Sequence, residues 1–136
     1  MTIEQEILKS SHVVAVVGLS PKLDRPSYQV ASYLKRHGFR IIPVNPTVKE
    51  VLGEVAYPNL TSVPEPVDVV DIFRRAEEVP SIVEEAIKIK AKAIWMQEGI
   101  INDGAAARAG EAGLLVVMDR CIKKEHQKLS GGGETK

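Results

Sequence analysis

A chain of 136 residues with 44% hydrophobic side chains is long enough to bury one core and too short for a second catalytic domain. Eighteen basic and eighteen acidic side chains cancel, which gives no reason to expect a nucleic acid or an anionic membrane as partner. The single cysteine, Cys121, excludes an internal disulfide. The N-terminus carries Glu4, Glu6 and Lys9 rather than a signal peptide's apolar core, and no apolar run approaches the ~20 residues of a membrane span, so a cytoplasmic protein is expected.

Thr2 to Lys9 reads as a short amphipathic helix, with Thr2 and Gln5 in capping-box spacing. Val13 to Val17 is an apolar strand that breaks at Gly18 and feeds a helix through Leu19-Ser20-Pro21-Lys22-Leu23-Asp24-Arg25. Pro26 suits a first helical turn and Gly38 the position just past a helix end, so Ser27 to His37 is predicted helical, with Val30, Ala31 and Leu34 facing inward. Arg40 to Val44 is the second strand, closed by Asn45-Pro46. Lys49 to Pro66 is rich in proline and fits a short turn of helix or an edge loop, and Val67 to Phe73 is the third strand.

Val79, Ile82, Val83, Ala86 and Ile87 recur at helical spacing, with Pro80 tolerable only in the first turn. Ala91 to Met96 is the fourth strand. Asn102 then caps an alanine-rich helix that Gly113 ends, and Leu114 to Met118 is the fifth strand. Ser130 to Lys136, with three consecutive glycines, is predicted as a disordered tail, which leaves 1–129 as a single domain.

Strands that alternate with helices imply an α/β fold: a Rossmann-like, doubly wound parallel sheet of five strands, expected in the order 3-2-1-4-5 with helices on both faces. Ligands of such sheets collect beyond the carboxyl ends of the strands. There the chain has Gly18 to Arg25, Asn45-Pro46, Phe73-Arg74, Gln97-Glu98-Gly99 and Asp119-Arg120-Cys121. With that order the first and fourth strands are neighbours, so the Gly18 loop and the Gln97–Gly99 loop would flank the crevice.

The strand, glycine turn and helix at 13–27 suit a phosphate, because a helix N-terminus presents unpaired N–H groups and the positive end of its dipole. The dinucleotide fingerprint G-x-G-x-x-G is nevertheless absent, since Ser20 and Leu23 stand where its second and third glycines belong. The loop therefore reads as phosphate-binding but not as an ordinary NAD site.

Val-Ala-Val-Val-Gly-Leu-Ser (14–20), Arg-Pro-Ser (25–27), Pro-Val-Asn-Pro (43–46), Asp-Ile-Phe-Arg (71–74), Trp-Met-Gln-Glu-Gly-Ile (95–100) and Asp-Arg-Cys (119–121) carry a resemblance. Together they resemble the small stand-alone coenzyme A-binding proteins of bacteria and archaea, whose fold is similar to the N-terminal domain of the succinyl-CoA synthetase α-subunit. The resemblance implies binding of coenzyme A. It places a phosphate on Gly18, Leu19 and Ser20 beside Arg25, and puts Asn45 and Pro46 at the nucleotide end. Phe73 and Arg74 become an apolar wall and a second phosphate partner, and Gln97, Gly99 and Ile100 line the path of the pantetheine arm. The chain lacks the synthetase's later loop glycines and the second domain with its phosphorylated histidine, so binding of coenzyme A or an acyl-CoA is expected without catalysis. A sensor, a store, or a partner of an acyl-CoA enzyme would fit.

Each residue has a plainer reading. Gly18 serves a tight turn, Arg25 and Arg74 are solvated charges, and Asn45-Pro46 is a common turn. Trp95 belongs in the core, whereas Phe73 at a strand end remains a candidate wall. His12, His37 and His126 lack the spacing of a metal site or a triad. Cys121 is either a small buried hydrophobe or a rim thiol able to form a mixed disulfide with the coenzyme. Two rival functions stay open: an NAD(P)-dependent oxidoreductase, opposed by Asn45 where an acidic ribose partner would stand, and a protein-interaction module, favoured by amphipathic ends at Thr2–Lys9 and Ile122–Leu129.

Overall fold

The computed structural model describes residues 2–131. Helix α1 (Ile3–Ser10) starts on the expected capping box, in which the Thr2 hydroxyl accepts from the Gln5 N–H and the Gln5 side chain accepts from the Thr2 N–H, both at 3.1 Å. Strand β1 (Val13–Val17) is followed by α2 (Pro26–Arg36), which has proline in its first turn and closes on Gly38 in the left-handed region. Strand β2 (Arg40–Val44) comes next.

The ambiguous stretch after β2 holds the expected short helical turn and, where a loop is the other expectation, a hairpin. A small antiparallel hairpin pairs β3 (Glu50–Val51) with β4 (Glu54–Val55), and a single 3-10 turn covers Leu60–Ser62. Strand β5 (Val69–Ile72), helix α3 (Val79–Lys88), strand β6 (Ala93–Met96), helix α4 (Asp103–Glu111) and strand β7 (Leu115–Val117) follow. Helix α5 (Ile122–Gly131) runs through the first two residues of the expected tail, because its apolar positions are already docked, with Ile122 buried. The rest of the tail, 132–136, lies outside the described residues.

The five-stranded parallel Rossmann-like sheet forms as expected, with order β2-β1-β5-β6-β7. Counted over its five members this is 2-1-3-4-5, so residues 67–73 do not sit outside the second strand. They pair with β1, Val14 opposite Val69 and Val17 opposite Ile72. The reason lies in Pro43. Its carbonyl oxygen faces the outer side of β2, where it accepts the Tyr57 N–H at 3.0 Å, and proline has no N–H to extend a ladder there. An edge strand tolerates this, and an inner strand does not. Strand β5, buried at all four positions, takes the inner place instead.

Helices α3 and α4 cover one face of the sheet, packing on Ala15, Ile42, Val70, Ile72 and Ile94. Helices α1, α2 and α5 cover the other, on Val14, Val16, Val69, Ala93 and Trp95. The amphipathic ends are therefore not free: α1 and α5 pack against each other, burying Ile7, Leu8 and Ile122. Trp95 is in the core, its Nε1–H donating to the Arg120 carbonyl at 2.9 Å. The chain also brings together two histidines that are distant in sequence. His37 and His126 face each other at 5.3 Å between ring centroids, with Tyr33 stacked on His37 and its hydroxyl 2.7 Å from His126 Nδ1.

Candidate functional site

The strand order moves the crevice. Its switch point falls between β1 and β5, so the Gly18 loop is flanked by Phe73-Arg74 and not by the Gln97–Gly99 loop. Gly18 sits on the crest between these strand ends with φ +90°, its N–H donating to the Val44 carbonyl at 2.8 Å. A Cβ there would collide with the Phe73 carbonyl oxygen and stand 3.2 Å from Arg74 Nε. The glycine is thus required by the approach of two strands, whether or not a phosphate also uses the space.

On the α2 face a crevice of about 200 Å³ is lined by Gly18, Ser20, Arg25, Pro26, Ser27 and Phe73. Its loop is closed by side chains that sequence reading assigned to other work or passed over. Ser27, which is buried, accepts the Ser20 N–H on Oγ at 3.0 Å, and Ser20 Oγ accepts the Lys22 N–H at 3.1 Å. Asn45 is a clasp: its Nδ2 donates to the Leu19 carbonyl at 2.9 Å and its Oδ1 accepts from the backbone and hydroxyl of Thr47. Leu19 is fully buried and its carbonyl is taken by Asn45, so the structure does not bring this expected site residue to the surface. Arg25 is the N-cap residue of α2 and contributes no side-chain cap, and the first two residues of the helix, Pro26 and Ser27, line the crevice.

On the α3 face, across the crest, a larger cavity of about 380 Å³ is lined on one hand by Val17, Val44, Pro46, Leu60 and Ile82 and on the other by the polar side chains of Asn59, Arg74, Glu78, Ser81 and Glu85. Glu85 helps to build it, accepting the Leu60 N–H at 2.8 Å. The cavity depends on the 3-10 turn, whose one legible signal is Asn59, accepting the Ser62 N–H as its cap. Arg25 and Arg74 have no ion pair among the described residues, whereas Arg40, Arg75 and Arg108 are each paired with glutamates. Two free guanidinium groups thus bracket the crest.

Gln97, Gly99 and Ile100 lie on the same rim but line neither space. Gln97 is buried and its Oε1 accepts the Ile122 N–H at 3.1 Å, which ties this loop to the start of α5. The Gly99 N–H donates to Asp119 Oδ1 at 2.7 Å, and Asp119 adopts φ +62° to reach it. Cys121, the residue just before α5, packs in the core cluster on the α2 face, as the small-hydrophobe reading expects.

A family model described as a CoA binding domain matches residues 12–127. An uncharacterised Bacillus subtilis protein, YneT, is 43% identical over 122 residues, which are 90% of each chain. The ADP-forming acetate–CoA ligase II of Archaeoglobus fulgidus is 30% identical over 125 residues, 90% of this chain and 18% of the ligase. Among solved structures, a hypothetical protein from Pyrococcus horikoshii superposes with a TM-score of 0.91 at 40% identity, over 95% of this chain and 92% of that one.

Proposed function

The chain belongs to the CoA-binding domain family, and from that membership we propose that it captures and releases coenzyme A or an acyl-CoA, with no reaction of its own. The observation that carries this reading is the placement of Arg25 and Arg74, which have no ion pair among the described residues, on either side of the Gly18 crest, with the start of α2 beside one of them. A diphosphate at the crest would meet both charges and lie beside the N-terminus of α2, whose dipole favours an anion. The nucleoside end would then enter the larger cavity on the α3 face, whose lining offers both apolar and hydrogen-bonding side chains. The pantetheine arm would run across the α2 face toward Gln97 and Gly99.

Binding without turnover is supported by how the loop spends its polar groups: Ser20, Ser27 and Asn45 are committed to holding its shape, and the thiol of Cys121 is buried. Such a protein suits a sensor, a store or a delivery partner of an acyl-CoA enzyme. The test is calorimetric titration of coenzyme A into the wild type, Arg25→Ala and Arg74→Ala. Each loss of a charge-assisted phosphate contact is expected to cost about 1.5–3 kcal/mol of affinity with the melting temperature unchanged. Equal affinity in all three proteins would remove the diphosphate from the crest.

A further inference from the structure

Asp71 is an acidic residue in the middle of the sheet, fully buried in β5, and among the described residues neither of its carboxylate oxygens has a hydrogen-bond partner. Its register neighbours are Val16 on β1 and Trp95 on β6, and the Trp95 N–H is already given to the Arg120 carbonyl. Burying an unpaired polar group is costly, and a hydrophobic residue would fill this position at no such cost. Side chains alternate along a strand, so Asp71 shares the α2 face with Val69 and Phe73, both packed into the cluster on that side. Phe73 forms the wall of the crevice and is only half-buried. Asp71 is therefore the next residue inward beneath it, roughly 6.6 Å further down the strand.

We propose that Asp71 is a ligand-recognition residue, reached when the Phe73 ring turns aside, whose carboxyl group hydrogen-bonds an amide carbonyl of the pantetheine arm. This rests on the coenzyme A reading above. An arm passing from the Gly18 loop on β1 to Gln97 at the end of β6 must cross the end of β5, because β5 lies between them. Phe73 occupies that crossing and Asp71 lies under it. Burial pushes the Asp71 carboxyl well above its ordinary range, so it keeps its proton and can donate. A carboxylic acid held neutral by apolar surroundings is a strong hydrogen-bond donor and adds no negative charge beside a diphosphate.

The experiment compares coenzyme A with 3′-phospho-ADP, which has the nucleotide and no arm, in calorimetric titrations of the wild type, Asp71→Val and Asp71→Asn. The melting temperature of each variant verifies the fold. Asp71→Val is expected to melt higher than the wild type, since it removes an unpaired polar group, and yet to bind coenzyme A at least tenfold more weakly. Its affinity for 3′-phospho-ADP should not change. Asp71→Asn, which retains an N–H donor, should keep most of the coenzyme A affinity. If Asp71→Val binds coenzyme A as the wild type does, or loses both ligands equally, Asp71 does not recognise the arm. A wild type that binds neither ligand overturns the coenzyme A reading itself, a result distinct from either.

Discussion

At Gly18 two parallel strands come so close that no side chain fits between them. Its positive φ adds a second demand, since L-residues resist that region. Gly18→Ala is therefore expected to lower the unfolding free energy by roughly 2 kcal/mol or more, even without ligand. Urea denaturation measures this, and an unchanged midpoint would mean the crest yields easily. Asp71 makes the opposite kind of prediction. Its folded pKa lies above the unfolded value of 3.8, so the folded state binds the extra proton and stability is lost as pH rises through that interval. Asparagine does not titrate. The stability advantage of Asp71→Asn over the wild type should accordingly grow as pH rises above about 4, and a gap independent of pH would contradict the shift. That Gly18, Arg25 and Arg74 meet at one strand-end rim was legible because a strand, a glycine and a helix start are local signals. That Asn45 grips Leu19 from 26 residues away was not, since that bond exists only once β1 and β2 are paired.

Elements decide where the site opens. The chain between β2 and β5 crosses over β1, and the Asn45 clasp ties the start of that crossing to the Gly18 loop. Asn45→Ala strands the buried Leu19 carbonyl, which should cost about 1–3 kcal/mol of stability. It should also weaken coenzyme A binding, because the loop loses its register against α2. Full affinity in a destabilised Asn45→Ala protein would show that the loop keeps its shape through Ser27 alone. The strand order itself had a signal in Pro43, which suits an edge, but this weighs one missing N–H against the whole pattern of crossovers. The β3–β4 hairpin had less. Its turn places Leu52 and Gly53 at positive φ, and leucine is not a residue that announces such a turn. The two ends of the chain were legible as amphipathic helices, but not that each is the other's partner.

For the whole molecule, the sheet acts as a partition with a larger cavity on the α3 face, a smaller crevice on the α2 face and one glycine crest between them. The proposed ligand, with a base, a diphosphate and a long arm, would use both spaces and the crest between them, whereas a simple phosphate would use only the crest. The fold class was readable from alternating apolar runs, because that alternation is a property of neighbours along the chain. The larger cavity was not, since its walls come from four separate elements, and neither was the meeting of His37 with His126. The most direct measurement is a thermal-shift panel of coenzyme A, acetyl-CoA, NAD, NADP and ATP on the wild-type protein. At a ligand concentration ~100 times the dissociation constant, coenzyme A should stabilise the fold by about 2.7 kcal/mol, a rise in Tm of roughly 10 °C, while NAD leaves it unchanged. A clear shift with NAD and none with coenzyme A would contradict the account.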